Sequence, residues 1–320
     1  MKKDFGIFGL LLVLCIVTAS QNHNFLRPEN LTNLANIIGL FGIFSIGAGL
    51  IIITGGIDLS VGSLIALTGI LLAMALREWN WPWPLAVLFV VAVPVILGWI
   101  HGLLITRLNI QPFIVTLCGL LIYRGMARFI AHDVTKGFGD GHGFETLANL
   151  AHGKLFGLPM PFVILVIVAA IMWFVLHRSI YGRYLLAVGR NEEATRFSGI
   201  NTRRVIASAY IVGGLLTGIS GILFAFYTNS ISPSNAGSFY ELYGIAAAVL
   251  GGCSLRGGEG SIIGIVIGTA LLQVLQNLVN LLGIDSSLNF SVMGAVVLIG
   301  VIADQLFQKH RAKKAVLQPK

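Results

Sequence analysis

Charge is what this chain has least of. Only 11% of its 320 residues are Asp, Glu, Lys or Arg, while 56% are hydrophobic. Soluble domains use roughly 25% charged residues, so the composition excludes a soluble globular protein and indicates a polytopic membrane protein. Cysteine is scarce as well. Cys15, Cys118 and Cys253 all sit in apolar runs, which leaves no disulfide framework and no metal-ligand spacing. No G-x-x-x-x-G-K-[ST] phosphate loop, nucleophile elbow or H-E-x-x-H is present, and the seven histidines are scattered. Nothing here marks an enzyme, a nucleotide site or a cofactor. A conspicuous series of intramembrane carboxylates that would relay protons is also missing.

Apolar segments are plentiful. A spanning helix needs about 20 mostly apolar residues, and ten segments qualify or nearly so: 5–20, 34–53, 59–76, 83–105, 112–131, 159–176, 205–228, 241–254, 261–282 and 288–304. The fold class expected is an all-α membrane bundle. The first segment follows Met1-Lys2-Lys3 and mimics a secretory signal peptide; a retained span is preferred, because the rest of the chain is equally hydrophobic. Trp79, Trp81 and Trp83 cluster at one connector, as interfacial anchors do.

Positive charge orients the bundle. With the N-terminus inside, fifteen of the 21 Lys and Arg residues fall on inner segments and four (Arg27, Arg77, Lys136, Lys154) on outer ones. That bias places both termini, including a basic tail at 305–320, in the cytoplasm. The net charge of +8 therefore reports orientation in a lipid membrane and not nucleic-acid binding.

The most basic loop, 177–206, holds six arginines. Within it Asn191 is placed to cap a short helix, with Glu192 and Glu193 in its first turn and Gly199 at its C-terminal glycine position. A solvated connector and a helix presented to a soluble partner both fit this pattern. Polar groups also interrupt the apolar runs. Asp58 lies in GGIDLSVGS behind Gly55 and Gly56, and a similar string, GGCSLRGGEGS, covers 251–261. Asp58 reads either as the hydrated cap of the third span at the cytoplasmic surface or as part of a gate at the inner mouth of a pathway. Arg124 and Arg128 are four apart on one helix face, placed to snorkel outward or to line a path. Gln273, Gln276, Asn277 and Asn280 bring neutral amides to one span. Such groups suit a polyhydroxylated solute and also bind helices to each other.

Three strings, TGGIDLSVGSLIALTG (54–69), AVGRNEEATRFSGI (187–200) and AAVLGGCSLRGGEGSIIG (247–264), and more weakly QPFIVTLCGLLIYRG (111–125), make a pattern. In order and spacing it resembles the permease subunits of bacterial ATP-binding-cassette (ABC) importers for monosaccharides, the ribose, xylose, arabinose and galactose branch. The resemblance covers roughly 34–304. It implies a type II importer-like bundle in the inner membrane and a second permease subunit, identical or paralogous. It further implies a partner ATPase that hydrolyses ATP, and a periplasmic sugar-binding protein. By the same resemblance Asn191–Ser198 is the helix that enters the ATPase, with Asn191, Glu192, Glu193, Ala194, Arg196, Ser198 and Gly199 as coupling residues. Asp58, Gly55, Gly56, Arg124 and Asn277 are the pathway or gate candidates. The acidic pair Glu192-Glu193 departs from the family's single acid after the asparagine. The rival reading is an ion-coupled secondary transporter, which needs paired carboxylates or a discontinuous helix; neither is evident in the sequence.

Overall fold

Proline opens four of the long helices, at positions where the missing N–H costs no hydrogen bond and the fixed φ suits the first turn. The computed structural model describes residues 2–139 and 143–284, with isolated positions between 288 and 302. In chain order the helices are α1 (Lys2–Gln21), α2 (Pro28–Ile53), α3 (Val61–Arg77), α4 (Trp83–Arg107), α5 (Pro112–Ala131) and α6 (Glu145–His152). They continue with α7 (Met160–Arg178), α8 (Ile180–Arg190), α9 (Glu192–Phe197), α10 (Thr202–Thr228), α11 (Tyr240–Leu250) and α12 (Ile262–Leu281). Four two-residue strands make two ribbons: β1 (Lys136–Gly137) pairs antiparallel with β4 (Ser230–Ile231), and β2 (Lys154–Leu155) with β3 (Leu158–Pro159).

The all-α membrane bundle expected from composition is present. Six of these helices, α2, α4, α5, α7, α10 and α12, are long and apolar enough to cross a bilayer, and Gly6–Gln21, α3 and α11 are shorter apolar helices. Nine of the ten expected segments thus coincide with an apolar helix among the described residues. The tenth segment, 288–304, and the basic tail at 305–320 lie outside the residues described in full. Helices α2 and α10 form the centre, 83% and 78% buried over their most apolar windows. They cross at Gly47 and Gly213, where a Cβ on Gly47 would sit 3.1 Å from the Gly213 Cα. This is the close approach that small residues permit in lipid.

The ends of the helices sort onto two faces. On one, Asn22 Nδ2 donates to the Leu281 carbonyl at 2.8 Å, Lys136 pairs with Glu78, and α6 and both ribbons cover the helix ends. On the other lie α8, α9 and the two glycine-rich turns.

One segment falls where the expected spans left a connector, and one departs from expectation. Residues 54–60, between α2 and α3, are not helical. The expected span 241–254 is a helix of 11 residues, about 16 Å long and well short of a ~30 Å hydrocarbon core. The irregular stretch 232–239 precedes it. The eighth expected span is therefore a short helix behind an irregular stretch, a feature that the sequence reading did not find.

Candidate functional site

Three features occupy the interior and the α9 face. The first is the basic loop, which folds as two helices and not as a connector. Ser179 caps α8, its hydroxyl accepting from the Gly182 N–H at 3.1 Å. Gly182, Leu185 and Val188 form the buried side of α8, and the Tyr181 hydroxyl meets Ser208 Oγ on α10 at 2.7 Å. Asn191, in extended conformation, ends α8 and starts α9, its Oδ1 accepting from the Ala194 N–H at 2.8 Å. At the other end Gly199 (φ +83°) donates to the Arg196 carbonyl and Ile200 to that of Thr195, a Schellman closure. Both ends of α9 fall where Asn191 and Gly199 place them.

In α9 only Thr195 is buried. The Glu192 carboxylate accepts from the Thr202 hydroxyl at 3.0 Å and holds α9 against the start of α10, and the Ser198 hydroxyl donates to the Ala194 carbonyl. Glu193, Ala194 and Arg196 are exposed. So is Phe197, 80% exposed, with the Arg196 guanidinium 6.0 Å from its ring centre. Sequence reasoning passed over Phe197, although an aromatic inside a polar capped helix is a signal for a docking contact.

The second feature is a backbone junction. The α2 helix closes through Gly55 (φ +82°), which donates to Ile52, while Gly56 donates to Ile51. The Gly258 N–H from the second glycine-rich turn donates to the Ile53 carbonyl at 2.8 Å. Gly189 of α8 lies against both, and a Cβ there would collide with the Ile53 carbonyl and the Gly258 nitrogen. The turns in the two similar glycine-rich strings meet, with α8 at their junction.

The third feature is a polar cluster between the 54–60 turn and the irregular stretch 232–239. Asp58 is 6% exposed, so it is not the hydrated surface cap of the sequence reading. Its Oδ1 accepts from the Ser60 N–H and hydroxyl at 2.8 and 2.7 Å, which folds the turn leading into α3. Around it the Tyr210 hydroxyl donates to the Ile57 carbonyl at 3.1 Å, and His101 Nε2 meets the Tyr123 hydroxyl at 2.7 Å. Arg124 reaches inward and donates from Nη1 to the carbonyls of Pro233 and Ala236 at 3.1 and 2.7 Å. A half-buried guanidinium thereby satisfies acceptors that the irregular segment leaves open. Glu241 at the start of α11 is 8% exposed and lies within electrostatic reach of Arg124 and Asp58. Gly62 and Gly237 meet backbone to backbone at the same level. Arg128 diverges from Arg124 and pairs with exposed Asp133 at 2.6 Å, holding that carboxyl below the usual carboxylate range. Glu241 escaped the sequence reading because it opens an apolar run, as helix-capping acids commonly do.

Asn277 lies away from this cluster. It exchanges hydrogen bonds with Asn30 at 2.8 and 3.2 Å, tying α12 to α2 on the rim of a cavity of about 230 Å³ near the α6 face. Among the described residues no cluster of His, Cys, Asp and Glu is arranged to hold a metal ion.

The family profile described as "Branched-chain amino acid transport system / permease component" matches residues 30–302. The ribose import permease protein RbsC of Bacillus subtilis is 38% identical, the match covering 95% of this chain and 94% of that protein. RbsC of Escherichia coli K12 is 37% identical, over 92% of this chain and 91% of that one. The galactose/methyl galactoside import permease protein MglC of E. coli K12 is 31% identical, over 98% and 96%. No solved structure matches the chain. An all-helical bundle, crossing the membrane many times and matched along nine-tenths of its length by import permeases, belongs to the family of transport-system permease components: it is an ABC importer permease subunit and not an enzyme.

Proposed function

We propose that this chain forms half of the membrane path of a monosaccharide importer, with a ribose-like pentose as its substrate and ATP hydrolysed on a partner subunit. The single observation that carries the energy-coupling part is α9. It is a helix capped at both ends, exposed except at Thr195, and carried on the most basic loop of the chain. That charge pattern supports a cytoplasmic position for the α9 face and for both termini, which puts the α6 face outside the inner membrane. The similarity to ribose import permeases supports the sugar class.

In this reading α9 docks on the ATPase, with Asn191 and Gly199 fixing its ends and Glu193, Ala194, Arg196, Ser198 and Phe197 available for contact. Glu192 is turned to Thr202 and transmits load to α10. A shift of α8 then moves the Gly189 junction, and with it Gly55 and Gly56 at the end of α2 and the 251–260 turn. Asp58 and Arg124 sit between the 54–60 turn and the 232–239 stretch and form the inner gate. A second permease subunit completes the path, and a periplasmic sugar-binding protein delivers the solute.

One observation favours the second reading, ion-coupled secondary transport: buried Asp58 and Glu241 beside two non-helical segments. Scrambling residues 190–198, or replacing Glu193 and Arg196 together, separates the two. Coupling through α9 requires loss of co-purified ATPase or of ATP-stimulated uptake. Unchanged uptake in the scrambled variant contradicts it.

A further inference from the structure

The cavity beside Asn277 has a chemistry of its own. Its walls come from the outer ends of α2, α10 and α12 and the start of α11. Phe41, Phe224 and Tyr240 form one side, with ring centroids of Phe41 and Phe224 at 4.6 and 5.1 Å from that of Tyr240. Gln273 and Gln276 project from α12 into the lining. Gln273 is only 3% exposed, yet neither glutamine amide makes a side-chain hydrogen bond among the described residues. Neither amide is among the fully buried polar groups left without a partner, so each opens onto the cavity, where it can hydrogen-bond to what enters. At the mouth the Tyr227 hydroxyl donates to Asn33 Oδ1 at 3.3 Å.

Among the described residues no charged side chain lines this space. A zwitterionic amino acid, the solute in the family's description, would bury its carboxylate and ammonium without counter-charges there. A sugar ring fits the inventory instead. Its hydroxyls donate and accept, as the glutamine amides do, and its C–H faces pack on flat aromatic rings. At about 230 Å³ the cavity lies below the ~300–1,000 Å³ of drug-sized ligand sites, which suits one ring and not a disaccharide.

We propose that this pocket, contained within a single permease subunit, is an outward-side binding station for one neutral monosaccharide. The proposal rests on the reading of the chain as a sugar importer and assigns that solute a place. Gln273 and Gln276 read its hydroxyls, Phe41, Phe224 and Tyr240 carry its apolar face, and the binding protein would release sugar directly above it.

The test uses the full transporter, with ATPase and binding protein, in which Cys15 and Cys118 are replaced by Ser and Asn280 at the rim by Cys. The labelling rate of that cysteine with an impermeant maleimide is measured with D-ribose, D-galactose, L-leucine or glycerol, alongside uptake of each solute. A monosaccharide that is taken up must slow labelling, and L-leucine and glycerol must not. Gln273→Leu and, separately, Gln276→Leu must raise the half-protecting sugar concentration about tenfold, the loss of one or two neutral hydrogen bonds. Uptake of a monosaccharide with no protection overturns the pocket alone. Protection by L-leucine overturns its assignment to sugar, and absence of any monosaccharide uptake overturns the importer reading with it.

Discussion

Gly258 donates its amide hydrogen to the carbonyl of Ile53 at 2.8 Å, and Gly189 closes over that bond so tightly that even a methyl group has no space. Three segments far apart in sequence thus share one backbone junction: the end of α2, the end of α8 and the turn before α12. Since α9 follows α8 after a single residue, a force on α9 in the proposed coupling would pass to the 54–60 turn and to the turn before α12 through backbone groups, which cannot slip past one another as side chains can.

Gly189→Ala tests this junction. The added methyl meets backbone and not a flexible side-chain tip, so overpacking should cost about 1–3 kcal/mol. The expected result is reduced uptake per assembled transporter and a lowered melting temperature. Gly125→Ala on α5, where a Cβ meets nothing within 4 Å, is the matched control. It should be neutral or stabilising by up to about 1 kcal/mol.

The interior charges make a second test. Arg124→Gln withdraws the guanidinium from the half-buried carbonyls of Pro233 and Ala236, at a cost of about 1 kcal/mol for each hydrogen bond lost. Lower yield and a fall in melting temperature are expected. Asp58→Asn keeps an acceptor oxygen for Ser60 while removing the charge, so assembly should persist as transport falls. Full transport by Asp58→Asn, read as sugar uptake at matched expression, would reduce Asp58 to a turn-forming residue.

At the α9 surface, Asn191→Ala should destabilise the helix by about 1 kcal/mol, and Asn191→Asp far less, because only the second keeps the capping oxygen. Phe197→Ala removes a ring that packs on little else in the chain. Melting temperature should hold within error while recovery of the ATPase in co-purification drops.

Much of this was written in the residues, and the exceptions have physical reasons. Asn191 and Gly199 mark the two ends of α9 because capping is local, set within a few residues of the chain. Ile180–Arg190 hid a helix because its buried positions Gly182, Leu185 and Val188 span only two turns and are interleaved with arginines. Asp58 was legible as polar but not as buried, since depth depends on which helices pack around a turn. Residues 232–239 (SPSNAGSF) fall between two expected spans and carry no local mark of depth. Their descent between helices depends on Arg124, more than 100 positions away, supplying hydrogen bonds to their carbonyls.

Orientation is open to a labelling experiment. Asn149→Cys on α6 and Arg196→Cys on α9 are both at exposed positions, whereas Thr195 is buried and would react poorly for that reason alone. In intact cells an impermeant thiol reagent should modify position 149 and spare position 196 until the membrane is opened. Modification at 196 from outside would reverse the bundle and remove α9 as an ATPase contact.

The central claim is ATP-driven sugar import, and reconstituted uptake tests it most directly. Proteoliposomes carrying this permease with its ATPase, and the binding protein outside, should accumulate labelled ribose or another monosaccharide only when ATP is enclosed on the α9 side. Dissipating proton and sodium gradients should leave that uptake unchanged. Accumulation driven by an ion gradient without ATP would contradict the account and assign Asp58 and Glu241 to ion coupling instead.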